Sequence, residues 1–493
     1  MLKDIYKNIV MLTDSYNLSH QKLKQNTDWE VSNIINRNRN NLGGMILYGL
    51  EETVKDLFSN KINQKDVNKA SLTAYKHGFK FPTELFTRVV NECDGYMPLK
   101  IDALPDGLFI PTGTPFCQIS NTVKGFGELV SWWEGMLLHA FFPSGCATQA
   151  FEIKRYFGEE GDRVHSFGFR GHRSLEDAYW AGTAWNLFFD GTDDFHTLQH
   201  FTNSSKSIPA LAHKVIQNWK QEFSCYKHAV RAAHQISTRD SKVVSIVIDT
   251  YDSDRFISQY LEKLCVLGDN KNTTCMFRLD SGTHDQIRKQ AIEILKIVAK
   301  YKLKHGVIIS NDVTLGEIIK YDSEISKSGF DKNRVIYGIG SGFYNHISRD
   351  WTGWAMKTSY SNYRPTMKFS PGGKESIPGV IGVRWNPTND KFVCYKLIRP
   401  KFPLIYKGTK NMKEVFGLMR TLYCHCPSNY ELSDIYTNYE KKFGNEATIY
   451  YKPFDYQQIK SYANNALLHE TKGVQFDASI KTEINKIKNN YIR

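Results

Sequence analysis

The stretch CMFRLDSG, residues 275–282, decides the fold. Cys275, Met276 and Phe277 make the apolar run of a buried strand, and Arg278, Asp280, Ser281 and Gly282 follow at once. A buried charge costs several kcal/mol unless it is paired or meets a ligand, so this strand ends in a surface turn or in a site. The flanking sequence repeats the pattern. VHSFGFRG (164–171) precedes SLEDAYWAGTAWNLFF (174–189), and VVSIVIDTYD (243–252) precedes SDRFISQYLEKLCVL (253–267). After TCMFRLDSG comes HDQIRKQAIEILKIVAKY (284–301). HGVIISND (305–312) precedes TLGEIIKYDSEISKS (314–328), and VIYGIGSGF (335–343) closes the series. Strand alternating with helix predicts a parallel sheet. Five such units suit an α/β barrel, whose functional groups sit at the C-terminal ends of the strands. In that register the strand ends carry Phe167 and Arg170, Asp249 and Asp252, Arg278 and Asp280, Asn311 and Asp312, and Gly340-Ser341-Gly342.

The rest of the chain reads differently. Residues 45–59 have apolar residues at helical spacing. Residues 98–118 alternate short apolar runs with Pro-Asp-Gly and Pro-Thr-Gly turns, which predicts a small antiparallel region. Residues 126–141 return to a helix. We expect a barrel-like catalytic domain over 151–380. A discontinuous α+β domain would be formed by 1–150 and the C-terminal region 381–493, which ends in a basic amphipathic segment.

The formal net charge is +13. That excess favours anionic partners, namely phosphorylated small molecules, nucleic acid or a membrane surface. The basic residues are spread along the chain and not gathered on one element, which sets nucleic acid aside. No run approaches the ~20 apolar residues of a membrane span, and the N-terminus lacks the apolar core of a signal peptide. The nine cysteines are odd in number and irregularly spaced, so a reducing, cytoplasmic setting is expected. Cys424-His425-Cys426 lacks the second ligand pair of a structural zinc site.

The strand ends mix carboxylates, arginines and a glycine loop. GIGSGF (338–343) can aim backbone N–H groups at an anion. Arg349 and Lys357 follow it and suit the same phosphate. Asp249, Asp280 and Asp312 suit Mg²⁺ or the vicinal hydroxyls of a sugar. Phosphate, diol and magnesium together describe a phosphorylated ribose. His213, in SIPALAH (207–213), starts a helix between two of these clusters. A lone histidine there is either structural or catalytic.

These residues resemble the nicotinamide phosphoribosyltransferases of the type II phosphoribosyltransferase group, which also holds nicotinate and quinolinate enzymes. The resemblance rests on MLTDSYNLSH (11–20), YGLEETVKDLF (48–58), CDGYMPLKIDALPDGLFIPTGTP (93–115), FGFRG (167–171), GTD (191–193), SIPALAH, DTYD (249–252), RLDSG (278–282) and the Arg349/Lys357 pair, in that order. It implies that Phe167 stacks on a pyridine ring, with Asp14 and Tyr16 of a second subunit on the other face of a homodimer. It implies that Asp193 accepts a hydrogen bond from the carboxamide and that Arg278 sits beside the amide oxygen. Arg170, Gly340, Ser341, Gly342, Arg349 and Lys357 would bind phosphate or pyrophosphate. Asp280 and Asp312 would hold ribose hydroxyls and magnesium. His213 would accept phosphate from ATP, with Asp249 orienting it. The implied substrates are nicotinamide and phosphoribosyl pyrophosphate, with Mg²⁺ and facultative ATP.

The sequence departs from the animal pattern twice. Ala212 replaces a glutamate before the histidine, and the glycine loop is two residues shorter. Both bear on ATP coupling. Segment 407–447 matches poorly. The rival readings are a nicotinate phosphoribosyltransferase and a non-catalytic binding protein that keeps the fold. Asp193 separates the first, because a carboxylate repels a carboxylate substrate.

Overall fold

The structure is a computed structural model. It describes residues 6–37, 43–200, 206–238, 240, 242–369, 375–386, 391–396, 419–425, 427, 459–461, 463–464, 474–476 and 478–491. Most of segment 407–447, and Cys426, lie outside these. The chain divides into two compact units, residues 149–346 and residues 1–148 with 347–493.

The contiguous unit carries the predicted alternation. Its strands are β1 (Val164–Ser166), β2 (Lys242–Val247), β3 (Thr273–Leu279), β4 (Gly306–Ile309) and β5 (Val335–Ile339). They form one all-parallel sheet in the order β1-β5-β4-β3-β2. The register puts every C-terminal strand end on the same edge. The ladder runs one residue further, because Phe167, Ile248 and Ser310 donate backbone N–H groups to Ile339, Arg278 and Leu279. Single parallel bridges join Ser166 to Thr192, Gly191 to Lys206 and Ala210 to Ser245. They link β1 round to β2, which turns the half-barrel into a ring.

Helices α1 (Leu175–Asn186), α2 (Glu222–Ile236), α3 (Leu261–Asn270), α4 (His284–Val298) and α5 (Leu315–Lys327) belong to this unit. α2, α3 and α4 pack on β2, β3 and β4. α4 shows why the chain turns after Arg278. The Thr283 hydroxyl accepts from the Gln286 N–H and the Gln286 side chain accepts in return, a capping box worth about 1 kcal/mol. Ile287, Ala291, Ile294, Leu295 and Val298 then bury one stripe. At the starts of α1 and α5 the Ser174 and Thr314 hydroxyls accept from the Asp177 and Glu317 N–H groups.

The discontinuous unit is built on a six-stranded antiparallel sheet. Its order is Arg364–Pro365, Trp354–Ser361, Glu30–Asn36, Pro115–Asn121, Leu99–Ala103 and Arg420–Cys424. The antiparallel region expected over 98–118 supplies two of these strands. Residues 347–380, counted with the catalytic domain from sequence, fall in this unit because Trp354–Ser361 pairs with Glu30–Asn36. The helix expected over 45–59 covers Leu50–Phe58, while Gly44–Ile46 forms a strand with Phe109–Pro111. Phe58 stacks on Tyr423 and meets Trp133 edge-on in the core. The C-terminal basic segment forms helix Ala478–Tyr491. Among the described residues no helix is long and apolar enough to cross a membrane.

Candidate active site

In the barrel unit a cavity of about 150 Å³ opens beside Phe167 and Asp193. β1 places its wall. His165 and Phe167 are two apart on an extended segment and so share a face, with ring centroids 4.9 Å apart. Gly338 on the neighbouring β5 makes room for the ring, since any Cβ there would overlap it. Ile308 and Ile336 add apolar lining, and Ser245 adds a buried hydroxyl with no hydrogen-bond partner among the described residues.

Asp193 Oδ1 accepts from the Ser207 hydroxyl at 2.5 Å and lies 3.0 Å from His165 Nε2. Burial pushes this carboxyl up, but the hydrogen bond and charge of His165, the Ser207 hydroxyl and the Arg278 guanidinium outweigh it and hold it below the usual range. Asp193 is therefore an anion at neutral pH. Arg278 is anchored by its donation to the Leu211 carbonyl at 3.2 Å. Phe167, Asp193 and Arg278 thus share one neighbourhood.

A second group forms at the next strand ends. The turn Phe169–Gly171, which carries exposed Arg170, abuts the turn Ser341–Tyr344. Gly168 and Gly171 permit this approach, because a side chain at either would run into His172 or Ser341. Gly340 has open space around it, and Asp312, at φ +45°, lies against Gly342. The turn bearing Arg170, the Gly340–Gly342 loop and Asp312 are therefore neighbours at this edge of the sheet.

His213 opens a short helix, His213–Gln217. Its Nδ1 is 3.0 Å from Thr250 Oγ1 and its Nε2 is 3.5 Å from Asp280 Oδ2. This departs from the expectation that Asp249 orients it. Asp249 instead accepts from the Ser281 hydroxyl, because residues 249 and 250 leave β2 pointing to opposite sides. Asp280 also accepts from Ser310 Oγ at 2.7 Å. Asp249 Oδ1 is buried with no hydrogen-bond partner among the described residues. No group of three or more His, Cys, Asp or Glu side chains suited to a metal occurs among the described residues. Asp249 and Asp280 offer instead the one or two carboxylates that Mg²⁺ takes when water and phosphate complete its shell.

Asp14, Tyr16, Arg349 and Lys357 belong to the discontinuous unit. Thr13 donates to the Trp132 carbonyl and Asn17 donates to Thr13, so alternate residues are pinned while Asp14 and Tyr16 stay exposed. Burial, Glu134 and Asp14 push the Tyr16 phenol up, and Arg349 opposes them. Lys357 pairs with the same Glu134 at 3.2 Å. The four residues form one cluster from chain segments over 330 residues apart. His425 is buried, with its ring nitrogen 3.0 Å from the Cys93 carbonyl.

Sequence reading missed His165, Ser207, Thr250 and Ser310. All but His165 are small hydroxyls with no pattern of their own. The two-residue spacing of His165 from Phe167 was the available signal.

The sequence matches two family profiles. Residues 163–368 match the nicotinate phosphoribosyltransferase (NAPRTase) family, and residues 8–101 match the nicotinamide phosphoribosyltransferase N-terminal domain. Over 391 residues the chain is 26% identical to a nicotinamide phosphoribosyltransferase of Xanthomonas campestris pv. campestris, covering 71% of this chain and 81% of that one. A namesake from Acinetobacter baylyi is 28% identical over 316 residues, 54% of this chain and 62% of its own length. Human nicotinic acid phosphoribosyltransferase superposes with a TM-score of 0.60 at 15% identity, over 97% of this chain and 100% of that one. The nicotinate-nucleotide pyrophosphorylase of Pyrococcus furiosus gives 0.57 at 16%, over 94% and 97%. At these identities the structural likeness is one of fold.

Proposed function

The chain belongs to the nicotinate phosphoribosyltransferase family, and from that premise we propose that it transfers phosphoribosyl from 5-phosphoribosyl 1-pyrophosphate to nicotinamide in NAD salvage. The products are nicotinamide mononucleotide and pyrophosphate. The observation that carries this choice is the anionic Asp193 beside Phe167 in the cavity. It accepts from a carboxamide NH₂ and repels the carboxylate of nicotinate.

Phe167 stacks on the pyridine ring and Arg278 donates to the amide oxygen, so the ring nitrogen is aimed at the anomeric carbon. The carbon–oxygen bond to pyrophosphate breaks through an oxocarbenium-like state as the nitrogen's lone pair attacks. That nitrogen carries no proton, so no general base is needed. Arg170 and the N–H groups of the Gly340–Gly342 loop hold phosphate oxygens, and Asp280 and Asp312 hold the ribose hydroxyls. Asp249 and Asp280 suit Mg²⁺, which when bound neutralises charge on the leaving pyrophosphate. A two-fold homodimer brings the partner's Tyr16 over the free face of the base. Arg349 and Lys357 then arrive with it, because they share its cluster.

ATP enters as a facultative co-substrate that phosphorylates His213. With Nδ1–H donated to Thr250, Nε2 keeps its lone pair to attack the γ-phosphorus, the bond to the β,γ-bridging oxygen breaks and ADP leaves. The nearby Asp280 carboxylate must then be neutralised by a cation. We place the reaction in the cytoplasm, in keeping with nine cysteines that are odd in number and irregularly spaced.

Pyrophosphate release with nicotinamide against nicotinate, each with and without ATP, tests the reading. The expected kcat/KM favours nicotinamide by at least about tenfold, the cost of one misplaced charge-assisted hydrogen bond. Equal use, or preference for nicotinate, overturns it.

A further inference from the structure

Asp194 follows the specificity carboxylate directly in sequence yet takes no part in the reaction above. Its side chain is 1% exposed. Oδ1 accepts from the Phe169 backbone N–H and Oδ2 from the Ser166 hydroxyl, each at 3.1 Å. Its own N–H donates to Thr192 Oγ1 at 3.0 Å, and its carbonyl accepts from the Thr197 N–H and hydroxyl at 3.1 and 2.9 Å. α1 closes over it with Gly182, where any Cβ would lie 3.1 Å from Oδ2 and 2.8 Å from Thr197.

The two donors bracket Phe167 in sequence. On the acceptor side, Asp193 is the adjacent residue, and its N–H donates back to the Ser166 carbonyl at 3.0 Å. We infer that Asp194 is a positioning residue for substrate binding. Its carboxylate clamps the end of β1 and the turn after it to the segment bearing Asp193, so the stacking ring, the Arg170 cation and the hydrogen-bonding carboxylate move as one frame. Without the carboxylate, the Phe169 N–H loses its protein acceptor and the turn loses its tie to the segment bearing Asp193. The inference rests on the base-binding roles proposed for Phe167 and Asp193.

Asp194→Asn keeps an oxygen for the Phe169 N–H and an NH₂ that can donate to Ser166. Asp194→Ala keeps neither. We expect the KM for the base to rise roughly tenfold in Asp194→Ala while kcat stays within about threefold, the signature of lost ground-state and transition-state binding alike. Asp194→Asn should restore KM to within about threefold of wild type. Hydrogen exchange at residues 167–171, measured without substrate, should accelerate in the alanine variant and return in the asparagine one. Unchanged exchange, or faster exchange with unchanged KM, overturns the clamp. If the wild type uses nicotinate instead, the same ratios are read with nicotinate, so failure of the base assignment does not hide failure of the clamp. Should Asp194→Ala not fold, Ser166→Ala removes one of the two bonds and must raise KM in the same direction; no change there also overturns the inference.

Discussion

The two consecutive aspartates 193 and 194 show how one carboxylate type serves opposite ends. Asp193 is lowered by His165, Ser207 and Arg278 against its own burial. Removing His165 should therefore raise its pKa. In His165→Ala the acid limb of the kcat/KM profile for nicotinamide should move to higher pH; a limb that stays in place separates His165 from Asp193. Asp193→Ser should lower nicotinamide kcat/KM roughly ten- to a hundredfold, the loss of one charge-assisted hydrogen bond of ~1.5–3 kcal/mol, and an unchanged nicotinamide-to-nicotinate ratio would rule Asp193 out. Asp194 is the reverse case. Burial pushes it up to about 6, with Asp193 adding repulsion while Ser166, Phe169 and His165 oppose. A carboxyl raised on folding binds more protons in the native state. Its stabilising contribution is present below the unfolded value near 4 and is lost as pH rises through about 6. The melting temperature of Asp194→Asn relative to wild type should therefore climb between pH 4 and 7, by the equivalent of roughly 3 kcal/mol at most. A flat difference contradicts the burial argument. At this scale the charged groups were legible in the sequence because ions at strand ends are conspicuous. Thr250 was not, since which of residues 249 and 250 faces His213 depends on how the chain leaves β2.

Among the elements, the parallel sheet and its ring of strand ends followed from the alternation of apolar runs and capped helices. The closure between β1 and β2 did not. It is made by single bridges at Thr192, Lys206 and Ala210, and one-residue strands leave no period to read. The pairing of Glu30–Asn36 with Trp354–Ser361 was equally hidden, because nothing local records a partner over 300 residues away. β5 carries its own prediction. Gly338→Ala places a methyl group where the Phe167 ring lies, so the ring must swing toward the cavity. The KM for the base should rise roughly tenfold, while the variant still folds, since alanine is compatible with a strand. An unchanged KM means that the ring is not the wall of the base site.

At the scale of the whole molecule, the cluster of Tyr16, Arg349 and Lys357 makes the homodimer proposal unusually testable. If Tyr16 acts across a two-fold, Arg349 and Lys357 act across it too. Mixing inactive Tyr16→Ala with inactive Phe167→Ala should restore activity at one site per mixed dimer. Arg349→Ala should likewise complement Phe167→Ala but not Tyr16→Ala. Complementation between Arg349→Ala and Tyr16→Ala, or none in any pair once subunit exchange is demonstrated, defeats the shared site.

The interruption of one unit by the other also sets a timetable during synthesis. Residues 149–346 form a contiguous unit and leave the ribosome with every strand of their sheet in hand. The first 148 residues can build only the middle of their sheet, where Pro115–Asn121 pairs with Glu30–Asn36 and Leu99–Ala103, because the outer neighbours of those two strands, Trp354–Ser361 and Arg420–Cys424, emerge last. Domains generally fold as units in order of emergence, so here the middle of the message should mature before its beginning. Nascent chains arrested near residue 390 should already hold a protease-resistant core of residues 149–346 while their N-terminal segment is still cut.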